Sequence, residues 1–217
     1  MNFKLQDNET IIEVSALNFN SRQGSESFIK SLTKITAAPV LNLLPSGQYF
    51  LYIRDLRDYS IDGKFPAGHT YNKHEIMIAL PGWDCEREDI KSVLAHELHH
   101  LARWQKAGYG MKLGDVVFSE GLATLYEEEV SGKKPVWAKS KINKRIADKF
   151  LKEWDTEYYD HSEWFFDGKM GRWIGYSIGY LIAKKIYKSG IDLKDSLSRK
   201  VKLSEIDIGD LAAVRCQ

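Results

Sequence analysis

Residues 86–106 read EREDIKSVLAHELHHLARWQK, and the character of the chain changes at this stretch. The spacing predicts one long helix, closed by Gly108-Tyr109-Gly110. Take His96 as the origin and advance about 100° per residue. Val93, Trp104, Ile90, Leu101, Leu94 and Leu98 then fall between about 60° and 200°, a single apolar stripe. On the same wheel His100 lies near 40°, at the edge of the stripe, and Glu97 lies near 100°, within it. His99 lies near 300°, beside Glu88 and Arg103, and is expected on the solvated side. The helix therefore dips from core into cleft at His96 and His100.

Upstream the pattern is mixed. Residues 25–44 carry Phe28, Ile29, Leu32 and Ile35 at helical spacing, and Pro39 should kink or end that helix. Residues 48–54 and 74–80 read as strands, being apolar, aromatic and β-branched between turn signals at Pro45-Ser46-Gly47 and Pro81-Gly82. The intervening residues 55–68 are rich in Asp, Gly and Pro and read as a loop.

Downstream the chain is helical. Residues 115–130 predict a helix with Asp115 as N-cap and Gly132 beyond its end. Residues 137–152 predict a basic amphipathic helix with a solvated face. Residues 155–171 read as an aromatic loop, 172–189 as a helix ended by Gly190, and 192–200 as a short helix. The class is α+β. The expectation is one domain over residues 1–217, with an α/β part over about 1–84 and a helical part over about 85–217.

His96-Glu97-Leu98-His99-His100 contains HExxH. One turn of helix stacks His96 and His100 on one face, so both imidazoles can bind one Zn²⁺. Glu97 beside them can accept a proton from the water that the metal activates. A buried glutamate on the apolar side is costly without a partner or a role. A catalytic zinc takes three protein ligands. His69, His74, His161 and a carboxylate are candidates for the third, and Glu120 is preferred. It follows His100 across a glycine-containing turn, and Gly121 and Ala123 beside it let helix backbones approach closely. Glu127, Glu128 and Glu129 read as a solvated run.

These residues resemble the gluzincin zinc metallopeptidases, in which a glutamate on a following helix completes HExxH. They are more closely similar to an uncharacterised bacterial family of predicted zinc-dependent proteases, with signals that appear in this chain as HELHH, EGLA and GYxxGY. Here these are residues 96–100, 120–123 and 175–180. The resemblance implies a zincin-like fold and one zinc ion, held by His96, His100 and Glu120, with Glu97 as general base. It departs at Thr124, where some gluzincins have an aspartate that supports a histidine; Asp115 is a candidate substitute. The resemblance also suggests that Ile76–Leu80 is an edge strand that pairs with an extended peptide.

Peptide hydrolysis needs a donor for the developing oxyanion. On the 172–189 helix, Tyr176 and Tyr180 share a face opposite Ile174, Ile178 and Ile182. Tyr176 is the preferred donor and Tyr180 the second choice. The Trp164-Phe165-Phe166 loop is expected to pack on the core rather than to shape a substrate pocket. Trp83, Trp137, Trp154 and Trp173 are expected in core or cleft wall.

Composition narrows the alternatives. With 31 Lys+Arg against 30 Asp+Glu, the chain lacks the basic excess of a nucleic-acid binder. Hydrophobic residues at 43% supply enough apolar surface for a core. No apolar run approaches the ~20 residues of a membrane span, and the N-terminus lacks the apolar core of a secretory signal. Cys85 and Cys216 match no CxxC spacing and suggest the reducing cytoplasm. The expected partner is a peptide or protein substrate; oligomeric state is not legible. The rival functions are a catalytically silent zinc-binding regulatory protein, which the intact Glu97 argues against, and a zinc hydrolase of non-peptide amides.

Overall fold

The structure is a computed structural model that describes residues 1–17, 25–82, 85–188 and 190–206. Trp83 and Cys216 lie outside the described residues. The architecture is α+β, with a five-stranded sheet followed by helices, as the sequence predicts. The chain falls into two compact units, Met1–Lys106 and Ala107–Gln217.

The first unit opens with β1 (Asn2–Asp7) and β2 (Thr10–Leu17), an antiparallel hairpin turning at Asn8 with φ 49°. Helix α1 (Ser25–Leu41) leads to β3 (Gly47–Asp55), which runs parallel to β2. Strands β4 (Ala67–Asn72) and β5 (Glu75–Leu80) form a second antiparallel hairpin, and β5 is parallel to β3. The sheet order is β1-β2-β3-β5-β4. Alternate residues fill the core, as the two-residue period of a strand requires: Ile12, Val14 and Ala16 on β2, Tyr49, Leu51 and Ile53 on β3, and Ile76, Ile78 and Leu80 on β5. Helix α2 (Arg87–Lys106) packs against α1, β4 and β5.

Two expectations change here. Residues 74–80 are an interior strand, paired on both sides, so Ile76–Leu80 has no open edge for a peptide. The edge on this side of the sheet is β4, which begins inside the stretch read as loop. Its sequence AGHTYN holds little apolar surface because one neighbour and a helix are all it covers. Helix α1 continues two residues past Pro39, to Leu41; the carbonyl the proline leaves unbonded belongs to Ile35, which is 54% exposed and can be hydrated.

The second unit is built on α3 (Leu113–Ser131), α4 (Lys144–Glu153), α5 (His161–Phe165), α6 (Ile174–Ile186) and α7 (Leu193–Ser198), with a two-residue ribbon at β6 (Asp167–Gly168) and β7 (Gly171–Arg172). Helices α3 and α6 are its principal pair. Phe118, Leu122, Phe150, Trp154, Trp164, Phe165, Ile178 and Tyr180 make one core around them. The aromatic stretch thus packs inward at Trp164 and Phe165, as expected, while Phe166 stays exposed.

Helix ends differ in detail from the sequence reading. Lys112, not Asp115, is the N-cap of α3, and Asp115 sits in the first turn, where a carboxylate meets the positive end of the helix. Gly132 closes α3 in the left-handed conformation, as expected. The basic helix starts at Lys144 because the Asn143 side chain accepts a hydrogen bond from the Ile146 N–H; residues Val136–Ala138 form a separate single turn. No helix of the described residues is long and apolar enough to cross a membrane.

Candidate metal centre

Helix α2 carries the HExxH residues. His96 and His100 are 6% and 4% exposed, and their Nε2 atoms stand 3.0 Å apart. Their rings meet edge to face, with centroids 4.7 Å apart. Two imidazoles on a tetrahedral zinc have nitrogens roughly 3.3 Å apart, from Zn–N lengths of about 2.0–2.1 Å. The observed separation is close to that value.

Glu97 is 5% exposed on the same helix. Its partner is Thr70 of β4, whose hydroxyl donates to Oε2 at 2.7 Å. The sequence reading missed Thr70 because the polar strand around it reads as a loop.

His99 corrects its expectation. It is 0% exposed, not on a solvated face. The helical wheel assumed one buried stripe, whereas α2 is buried continuously from Ser92 to Arg103, with Arg103 itself 4% exposed.

Glu120 lies on α3 and is 4% exposed. The Tyr109 hydroxyl donates to its Oε1. Gly108 and Gly110 flank this tyrosine with φ of 74° and 97°, a backbone that side chains rarely adopt, and so turn Tyr109 back toward the helix. In the sequence alone, Gly108-Tyr109-Gly110 reads only as a helix terminator. Burial, and secondarily the Glu120 carboxylate, pushes the Tyr159 phenol up from its usual range.

Glu127 is not part of a solvated run. It is 0% exposed and accepts a hydrogen bond from the Trp137 indole at 3.1 Å. Glu128 accepts from the Tyr180 hydroxyl at 2.5 Å, and Lys184 donates to that hydroxyl at 2.5 Å. Burial, followed by the bond to Glu128, raises the Tyr180 phenol far above its usual range. Tyr176 is half-buried, with its ring edge-on to Phe165 at 5.4 Å and 87°.

Of the alternative third ligands, His69 meets Tyr71 edge to face, His74 lies tilted against Tyr49, and His161 stacks on Phe165. Among the described residues, His96, His100 and Glu120 are the group of three donors that could hold a metal ion. Two neutral imidazoles and a carboxylate are a donor set suited to zinc.

No curated protein matches the chain. Residues 33–203 match the family described as predicted Zn-dependent protease, DUF2268. The match takes in the sheet from β3 onward, the HExxH helix, Glu120 and the tyrosine-bearing α6, and by it the chain belongs to this family of predicted Zn-dependent proteases.

Proposed function

We propose that the whole chain acts as one gluzincin-type peptidase domain that hydrolyses peptide bonds with a single zinc ion. The ligands are His96, His100 and Glu120. The observation that carries this reading is the buried His96–His100 pair at 3.0 Å with a buried carboxylate, Glu97, on the same helix turn. Imidazole nitrogens and carboxylate oxygens buried at one place are the donor types that a zinc ion takes. A zinc ion there would act as Lewis acid toward the scissile carbonyl and make water a nucleophile near neutral pH.

The chain's own groups do the rest. Glu97 takes a proton from the attacking water and passes it to the leaving amine nitrogen. Tyr176 donates to the developing oxyanion. Tyr180 serves less well, because its hydroxyl already donates to Glu128. An extended substrate adds its backbone to the sheet at β4, which has one sheet neighbour. The distant cysteines support a cytoplasmic setting.

The test is a metal assay and a peptide-library digest on the wild type and Glu97→Gln. Zinc retained by both, with cleavage lost by about 10²–10⁴-fold in the variant, supports the mechanism. A protein that holds no zinc, or a Gln variant that cleaves equally well, refutes it. Cleavage of small amides but no peptide would move the substrate class to non-peptide amides.

A further inference from the structure

The Glu97 carboxylate is held by one strand, β4. Gly68 and Thr70 are two residues apart on that strand, so both face α2. They pair with Ile78 and Ile76 of β5, which fixes their register. Thr70 is 7% exposed, and its Oγ1 lies 2.7 Å from Glu97 Oε2 and 3.2 Å from the Glu97 carbonyl oxygen. The other side of the carboxylate lies over Gly68. A Cβ there would overlap Glu97 at Cγ, Cδ and Oε1. The carboxylate is therefore clasped between a hydroxyl and a stretch of bare backbone.

Each residue type suits this task. Threonine is stiff at χ1, so its hydroxyl holds one direction. Glycine gives the carboxylate room without φ strain, since the φ of Gly68 is not in the positive region. A carboxylate that abstracts and returns a proton must keep hydrogen-bond reach to both water and leaving nitrogen. Free rotation of a glutamate side chain would spoil that.

We propose that Thr70 is the positioning residue for the general base, and that Gly68 is the space into which that base is set. This rests on the assignment of Glu97 as base. The experiment measures kcat, KM and zinc content of wild type, Thr70→Val, Thr70→Ser, Gly68→Ala and Glu97→Gln on a peptide taken from the library digest. It also records the Glu97 side-chain carboxyl carbon resonance in metal-free, carbon-13-labelled protein, assigned by its loss in Glu97→Gln.

Thr70→Val and Gly68→Ala are expected to lower kcat by about 10²-fold, with KM and zinc content unchanged. Thr70→Ser restores most of the rate. The Glu97 resonance moves in Thr70→Val and stays in place in Thr70→Ser. A Thr70→Val enzyme with wild-type kcat beside an inactive Glu97→Gln overturns the positioning role and leaves the base assignment standing. Activity in Glu97→Gln equal to wild type overturns the base assignment and this role with it. Should Thr70→Val fail to fold, Gly68→Ala decides: a wild-type kcat there overturns the proposal.

Discussion

Gly121 of α3 and Gly179 of α6 meet backbone to backbone: a Cβ on Gly121 would overlap the carbonyl group of Gly179, and a Cβ on Gly179 would overlap the carbonyl oxygen of Val117. Gly121 adjoins Glu120, so this close helix crossing lies one residue from the proposed carboxylate ligand. Neither overlap can be relieved by turning a flexible side chain, because the obstacles are main chain. Gly121→Ala and Gly179→Ala should each cost about 3 kcal/mol, measured by denaturant unfolding. A variant as stable as the wild type would show that the two helices can separate freely.

Metal affinity should track the proposed carboxylate ligand, Glu120, and its tyrosine partner. Glu120→Gln is expected to abolish tight zinc binding. Tyr109→Phe removes the donor that orients Glu120 and should weaken zinc affinity by about 10–100-fold. Competition against a chromogenic chelator measures both. Zinc added to metal-free wild type should raise Tm, since a preformed site binds it more tightly in the native than in the unfolded state. An unchanged Tm would count against a native metal site.

The two tyrosines of α6 should separate by phenotype. Tyr176→Phe is expected to lower kcat by about 10²-fold, with stability little changed. Tyr180→Phe loses the hydroxyl that joins Glu128 and Lys184, and should lower stability by about 1 kcal/mol with kcat retained. The reverse pattern would exchange their roles.

Alkaline pH should expose the buried phenol of Tyr126. Burial pushes it up to about 12 from 10.0. The folded value lies above the unfolded one, so the neutral phenol stabilises the native state below pH 10, and that contribution is lost as pH rises toward 12. The amount is on the order of 2–3 kcal/mol. Tyr126→Phe should show a shallower loss of stability over that interval. Phenolate absorbance titration should find Tyr126 protonated where exposed tyrosines have already ionised.

Helices and interior strands were legible in the sequence for a physical reason: their apolar residues repeat at the period of the element that buries them. Ile76, Ile78 and Leu80 mark β5, and Leu94, Leu98 and Leu101 mark α2. Strand β2 carries the same signal in Ile12, Val14 and Ala16. Strand β4 offered none, since its residues serve pairing and contact with α2 more than core filling. At the site, HExxH was legible because one helix turn sets its geometry. Thr70 and Tyr109 were not, because their partners lie 27 and 11 positions away along the chain, and only folding brings them together. The burial of His99 and Glu127 escaped a wheel argument that grants each helix a single covered face.

Thr70 belongs to the rim of its sheet, where hydrogen-bonded support comes from one flank alone. Such borders breathe at lower free energy than the strands inside them. The clasp on the proposed general base is thus fastened to an edge strand, where such opening is expected. On gentle warming, turnover should fade while the helical signal is still intact.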